Sequence, residues 1–218
     1  MPKPPPPVTA PRKHPVQARS TQLVAAILEA AIRVLERDGA QRFTTIRVAE
    51  AAGVSVGSLY QYFPNKHAIL FRLQLDEWAA TGASLEAILG DAARPPEQRL
   101  RDTVRAFFQS ECDEAPLRLA LAAAAPVYRD APEAEAQRRR SRRIVNGFVA
   151  AAVPRASPRQ RSFAAELISA TIGALGEQVS ERRPPRAEVD RWADAVADML
   201  TAYLAQLVPA RSAASPGA

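Results

Sequence analysis

The side chains best equipped for chemistry are crowded into one stretch, Phe43 to Lys66, reading FTTIRVAEAAGVSVGSLYQYFPNK. Val56, Gly57, Ser58, Tyr60, Gln61 and Tyr62 form a short-chained, hydroxyl-bearing, aromatic run that carries no charge. Such a surface can enter a DNA major groove without carboxylate repulsion and hydrogen-bond to base edges. Thr44, Thr45, Arg47 and Lys66 flank it with further hydroxyls and positive charge. This is the chemistry of recognition, not of bond making.

Catalytic arrangements are sparse elsewhere. There is no P-loop, no glycine-rich dinucleotide turn after a strand and no HExxH. The two imidazoles are His14, in a proline-rich stretch, and His67, at a helix start beside the recognition run. The single cysteine, Cys112, excludes an intramolecular disulfide and reads as a structural thiol. Glu111, Asp113 and Glu114 read as a solvated acidic cluster at a helix end, with attraction of a cationic ligand as the other reading. The arginines of Gln137–Arg143 spread around a helix and can pair with Glu133 and Glu135, so they read as a solvated face. The expectation is a protein that is not an enzyme and needs no cofactor or metal.

The elements that position the recognition run follow from local signals. Thr44 precedes a short helix, Thr45 to Ala52, whose first amides its hydroxyl can cap. Gly53 suits the left-handed conformation that ends a helix. Ser55 can cap a second helix, Val56 to Phe63. Val48, Ala49 and Ala52 face Val54, Leu59 and Phe63, with Ala49 small enough for a steep crossing. Before them, Val24, Leu28, Ala31 and Leu35 mark a helix over Ser20 to Asp38, stopped by Gly39, which forms the floor. After them, Asn65 caps a long helix to about Leu89.

These residues, GVSVGSLYQYFPNK preceded by TTIRVAEAAG and ILEAAIRVLERDG, resemble the DNA-binding domain of the TetR family of bacterial transcriptional regulators over Arg19 to Leu70. Two positions depart from the family pattern: Arg47 and His67 stand where an acid is common, so a capping box with Thr44 is missing and Arg47 is free to point at phosphate. The resemblance implies roles. Tyr60 packs on a base edge or donates to phosphate, and Ser58 and Gln61 hydrogen-bond to bases or backbone. Tyr62 and Lys66 bind phosphate, and Gly57 admits the DNA backbone. Thr44, Thr45 and Arg47 touch the backbone from the preceding helix. Tyr62 has a second reading, with its ring packed under the helix.

Charge agrees with a phosphate-binding surface at this end. Of a net +6, residues 1–70 hold nine Lys/Arg against four Asp/Glu, and residues 71–218 hold twenty against nineteen. The lone cysteine suits a reducing cytoplasm, and no apolar run approaches a membrane span. Residues 1–18 are proline-rich and basic and are expected to be disordered, either as an arm on DNA or as a solvated tail. Residues 209–218 read as a frayed tail.

The division expected is 19–66 for DNA binding and 67–208 for ligand binding and dimerisation. Helices are expected at about Pro96–Asp113, Pro116–Ala125, Pro132–Val153, Pro158–Arg182 and Pro185–Leu207, prolines standing near each start. The fold class is all-α, about nine helices, without a sheet.

Ser162 to Glu181 carries two apolar stripes. One is Ala164, Ile168, Ile172, Leu175 and Val179; the other is Phe163, Leu167, Ala170 and Ala174. So wide an apolar arc needs two partners, its own domain and a second copy or a deep monomer core. The first stripe, with Trp192, Val196, Met199, Leu200 and Tyr203, is the expected dimer interface, since the resemblance implies a four-helix bundle of the last two helices. It also implies a cavity among the central helices, for which Trp78, Phe107, Phe108, Leu121, Tyr128 and Phe148 are candidates.

The function expected is a cytoplasmic, homodimeric, ligand-responsive regulator, a repressor of a palindromic operator released by a small-molecule inducer. Two alternatives stand beside it. One is an architectural DNA-binding protein without an inducer; the other is an all-helical enzyme or interaction module.

Overall fold

The computed structural model describes residues 18–121 and 131–208. Among them there are eight helices and no strand. They are α1 (Ala18–Arg42), α2 (Thr45–Ala52), α3 (Val56–Tyr60), α4 (Lys66–Gly90), α5 (Pro96–Leu121), α6 (Pro132–Ala152), α7 (Pro158–Glu181) and α8 (Arg186–Gln206). The described residues pack as two compact units, one within Met1–Ala80 and Asp113–Gln137, the other within Thr81–Cys112 and Arg138–Ala218. The expected arm over residues 1–17 and the tail over 209–218 lie outside the described residues.

In the first unit the core is built by Ile27, Ala31 and Val34 of α1, Val48 and Ala49 of α2, Leu59 of α3, and Ile69 and Leu70 of α4, with Phe43 and Phe63 from the connections. Gly39 (φ 72, ψ 173) breaks α1 where the sequence places its end, and Ala40 to Arg42 continue as a separate turn. Gln74 and Glu114 are buried together, the Gln74 amide donating to the Glu114 carboxylate at 3.0 Å. Glu114 is therefore an interior group and not part of a solvated acidic cluster. Packing on both sides of Pro116, by Glu114 and by Leu117, also explains why α5 runs on through the proline. The helices expected at Pro96–Asp113 and Pro116–Ala125 are one helix up to Leu121.

The core of the second unit joins Leu100, Val104 and Phe108 of α5, Phe148 and Val149 of α6, Ile168 and Ile172 of α7, and Val196 and Leu200 of α8. A capping box starts α7: Ser157 Oγ accepts from the Gln160 amide at 3.3 Å, and Gln160 Oε1 accepts from the Ser157 amide at 2.9 Å. Gly176 lets α7 press on α5, since a Cβ there would stand 3.0 Å from the Phe107 ring. Arg105 and Arg101 reach Asp194 at 2.7 and 3.3 Å, and Arg101 also pairs with Asp198, lacing α5 to α8. Arg140 of the arginine run pairs with Glu86 at 2.7 Å.

This core corrects six positions of the expected dimer interface. Ala164, Ile168, Ile172, Val179, Val196 and Leu200 are buried within their own unit, so they have no surface left for a partner. Leu175, Trp192 and Tyr203 are half-buried against the same core. Met199 on α8, expected in the interface, is 52% exposed, and the other stripe of α7 reaches the surface at Phe163, which is 57% exposed.

Candidate nucleic-acid interface and cavity

The α2–α3 pair is set by two hydroxyl caps and one glycine. Thr44 Oγ1 accepts from the Arg47 amide at 3.3 Å, and Ser55 Oγ accepts from the Ser58 amide at 3.0 Å. Gly53 (φ 66, ψ 30) takes the left-handed conformation between them, its amide bonded to Ala49 and Glu50 carbonyls. Arg33 of α1 donates to the Ala51 carbonyl at 3.3 Å, satisfying one orphan at the end of α2. Val48, Ala49, Leu59 and Phe63 are buried, and Ala52 and Val54 pack against them.

The recognition helix is shorter than the sequence pattern implies. It ends at Tyr60, and the Tyr62 and Phe63 amides turn back onto the Leu59 carbonyl at 3.0 and 2.9 Å. Pro64 disfavours helical geometry at Phe63, which accounts for the early end. Gly57, Tyr60 and Gln61 stand exposed, while Ser58 is half-buried with its hydroxyl 2.8 Å from that of Ser55. Val56 and Tyr62 are half-buried against the core, so the Tyr62 ring packs beneath the helix. A Cβ on Gly57 would meet only Ser55 Oγ, at 3.8 Å, leaving its outer side open to an approaching backbone.

Tyr60 is held, not loose. Its phenol lies 3.2 Å from the hydroxyl of buried Thr45, so Thr45 supports the recognition helix from below while Thr44 stays exposed. Arg47 departs from expectation: its guanidinium meets Asp38 at 3.0 Å and does not stand free for phosphate. Hydrogen bonds first from Arg37 and then from Arg47 hold the Asp38 carboxyl at about 2, so the cluster stays ionised. Asn65 Oδ1 caps α4 by accepting from the Ala68 amide at 2.9 Å, placing half-buried Lys66 and His67 in the first turn. Burial, and then the neighbouring Lys66 charge, push the His67 imidazole below its ordinary value; its Nδ1 is buried without a partner.

The second unit holds a cavity of ≈ 160 Å³ between α4, α5, α6 and α7. Of the sequence candidates, Phe107 and Phe148 line it. Phe108 is fully buried in the core and is not part of the wall. Trp78 packs in the first unit, its carbonyl accepting from Gln137 at 2.7 Å. The Leu121 side chain and Tyr128 lie outside the described residues. Ile168 and Ile172, expected at a dimer interface, are cavity wall instead.

The sequence reading missed Thr103 and Gly173 in this wall. Thr103 could have been noticed as a hydroxyl set on the apolar row of Leu100, Val104 and Phe107. Arg99 lies over the Phe148 ring at 5.4 Å and donates to the Leu89 carbonyl at 2.9 Å, at the end of α4. Among the described residues, no group of His, Cys, Asp and Glu could hold a metal ion. No helix among them is long and apolar enough to cross a membrane.

Two family models match the chain. "Bacterial regulatory proteins, tetR family" covers residues 27–73, and "Tetracyclin repressor-like, C-terminal domain" covers residues 95–207. Among curated proteins, the nucleoid occlusion factor SlmA of Actinobacillus pleuropneumoniae (strain L20) is 48% identical over 62 residues. That match covers 28% of this chain and only 28% of the relative. Among solved structures, a TetR-like transcriptional regulator from Rhodococcus sp. RHA1 superposes with TM-score 0.60 at 19% identity, covering 88% of this chain and 99% of that one. Thermus thermophilus FadR, a TetR-family transcriptional repressor in complex with lauroyl-CoA, does so with TM-score 0.59 at 18% identity, covering 89% and 100%. At these identities the structures speak for the fold.

Proposed function

We propose, from the fact that this chain belongs to the TetR family of DNA-binding transcriptional regulators, that it is a repressor which binds a palindromic operator as a homodimer and is released by a small molecule. The observation that carries the reading is the uncharged, exposed edge formed by Gly57 and Tyr60 of α3 and by Gln61 at its C-cap, locked by the Thr45–Tyr60 and Ser55–Ser58 contacts. Tyr60 and Gln61 are the base-reading groups, and Lys66 is the phosphate contact. The arrangement fits sequence readout better than an architectural coat, because rigid short side chains suit base edges more than a backbone alone.

The dimer face is the stripe of exposed Phe163, Ala170 and Ala174 and half-buried Leu167, with Met199 of α8. A second copy is the natural cover for this apolar surface, since a palindrome requires two recognition helices. Phe163→Asp is expected to give folded monomers in sedimentation equilibrium and about 100-fold weaker binding to an operator duplex, because one half-site is lost. A dimer that survives the change undiminished sinks this assignment.

The apolar cavity supports a small-molecule signal. A ligand that binds the released conformation more tightly than the DNA-bound one shifts the population by its differential affinity. FadR of the same fold is seen with lauroyl-CoA, which makes that acyl thioester the first compound to test for release. Titration of the protein–operator complex with lauroyl-CoA reads this out as release or its absence.

A further inference from the structure

We infer that the cavity of the second unit takes a compact, uncharged, mostly apolar molecule carrying a single hydrogen-bonding group, which Thr103 recognises. This deepens the ligand-responsive reading above and rests on it.

Size is the first constraint on the ligand. At ≈ 160 Å³ the space matches a ligand about as large as benzene, which fills an engineered cavity of about 150 Å³ in another protein. A twelve-carbon chain with a polyanionic nucleotide head is far larger. The lining chemistry gives the second constraint. Leu85, Phe107, Ile144, Phe148 and Ile172 make it apolar, and no charged side chain among the described residues lines it. An ionised ligand would lose its water shell there without a counter-charge, at prohibitive cost.

Thr103 supplies the third. It is only 5% exposed, it lines the cavity, and its Oγ1 has no hydrogen-bond partner. Threonines in helices ordinarily bond back to the preceding turn; this one does not. A buried hydroxyl left unmatched is unfavourable, and a ligand hydroxyl or carbonyl corrects it. The other two hydroxyls differ. Ser169 Oγ already donates to the Ala165 carbonyl at 2.9 Å, and Ser141 is exposed. Buried Arg99 lies with its guanidinium over the ring of the wall residue Phe148 but is not itself part of the wall. Its Nη1 donates to the Leu89 carbonyl in the last turn of α4, and its Nε is buried without a partner.

The test titrates the full chain calorimetrically with benzyl alcohol, toluene, benzoate and lauroyl-CoA. Benzyl alcohol should bind about 3- to 10-fold more tightly than toluene, the worth of one hydrogen bond. Benzoate should bind at least about tenfold more weakly than the alcohol, and lauroyl-CoA should not displace it. Thr103→Val should erase the preference for alcohol over toluene while keeping toluene binding. Gly173→Leu should abolish both, because a Cβ at that wall position meets nothing within 4 Å and the side chain can fill the space without a clash at its root.

Tighter binding of benzoate or lauroyl-CoA, a preference that survives Thr103→Val, or no saturable binding of any probe overturns the inference. Operator affinity, measured in parallel, separates it from the reading it rests on. Release by lauroyl-CoA overturns the ligand class and keeps the ligand-responsive regulator. Benzyl alcohol that binds as expected and leaves operator affinity unchanged keeps the ligand class and overturns the regulator.

Discussion

Thr45 and Thr103 are both buried threonines on helices, one in each packing unit, and they differ in what their hydroxyls meet. Thr45 meets the phenol of Tyr60 at 3.2 Å, whereas Thr103 meets nothing. The same contrast runs through their surroundings. Around Thr45 the polar atoms serve one another: Ser55 with Ser58, Arg47 with Asp38, Asn65 with the amide of Ala68. The surface they build is fixed before any DNA arrives, so little order has to be lost on binding. Around Thr103 the wall is apolar and one polar group is left over, an arrangement that costs stability until something fills it. A pre-paired surface suits a rigid partner of known shape, and an unpaired interior suits a small molecule that comes and goes.

The largest expected effect tests the paired side. Tyr60→Ala removes an exposed ring and the partner of Thr45 but no core contact of Leu59 or Phe63. Specific operator affinity should fall about 100-fold, as for loss of a base contact and its support, while the circular dichroism spectrum holds and the thermal midpoint drops by only a few degrees, the cost of leaving the buried Thr45 hydroxyl unpaired. Operator binding that survives would remove α3 from the role given to it.

The salt dependence of binding comes next. Lys66→Ala should lower the slope of log affinity against log salt by about 1, the signature of one phosphate contact. Arg47→Ala should change the slope less, because Asp38 already holds that guanidinium. Equal changes would mean that the Arg47–Asp38 pair opens on DNA.

The unpaired side is tested by stability. Thr103→Val should stabilise the ligand-free protein by about 1 kcal/mol in urea unfolding, since it removes a buried hydroxyl without a partner and keeps the shape. Destabilisation would show that the hydroxyl is satisfied after all.

The smallest effect concerns His67, which sits on the paired side yet has an orphaned buried nitrogen. Burial, and then Lys66, hold its folded-state value below the ordinary 6.5, so the unfolded chain takes up the proton first. Its contribution to stability is fully present above 6.5 and is lost as pH falls from there through the folded-state value. His67→Gln should flatten this acid limb in urea midpoints measured across that window. An unchanged limb would assign it to other groups.

The same comparison explains what the sequence could and could not reveal. The recognition surface was legible because its logic is local. Thr44, Gly53 and Ser55 each act within three or four residues, and so do the caps and turn that they form. Arg47 misled because its partner, Asp38, lies nine residues upstream across the break at Gly39, where no short-range pattern reaches. The end of α3 was overrun because apolar Phe63 looks helical until the restriction imposed by Pro64 is weighed.

In the second unit the helices were legible from periodicity, but the assignment of faces was not. Two apolar stripes on α7 are equivalent in sequence, and only packing shows Ile168 and Ile172 facing inward and Phe163 facing out. The cavity is drawn from four helices, so no single segment announces it. Phe107 and Phe148 were reachable as aromatic residues, whereas Thr103 and Gly173 matter for what is absent beside them. Pro116 marked a helix start by the usual rule, and tertiary packing of Glu114 and Leu117 carried α5 through it.

The most direct measurement is selection of the purified full-length chain against a pool of random DNA duplexes at near-physiological salt, followed by sequencing. The account predicts a palindrome, its half-sites about one helical turn apart or a multiple of it, as two copies of α3 require. Salt-sensitive binding that recovers no motif would contradict it.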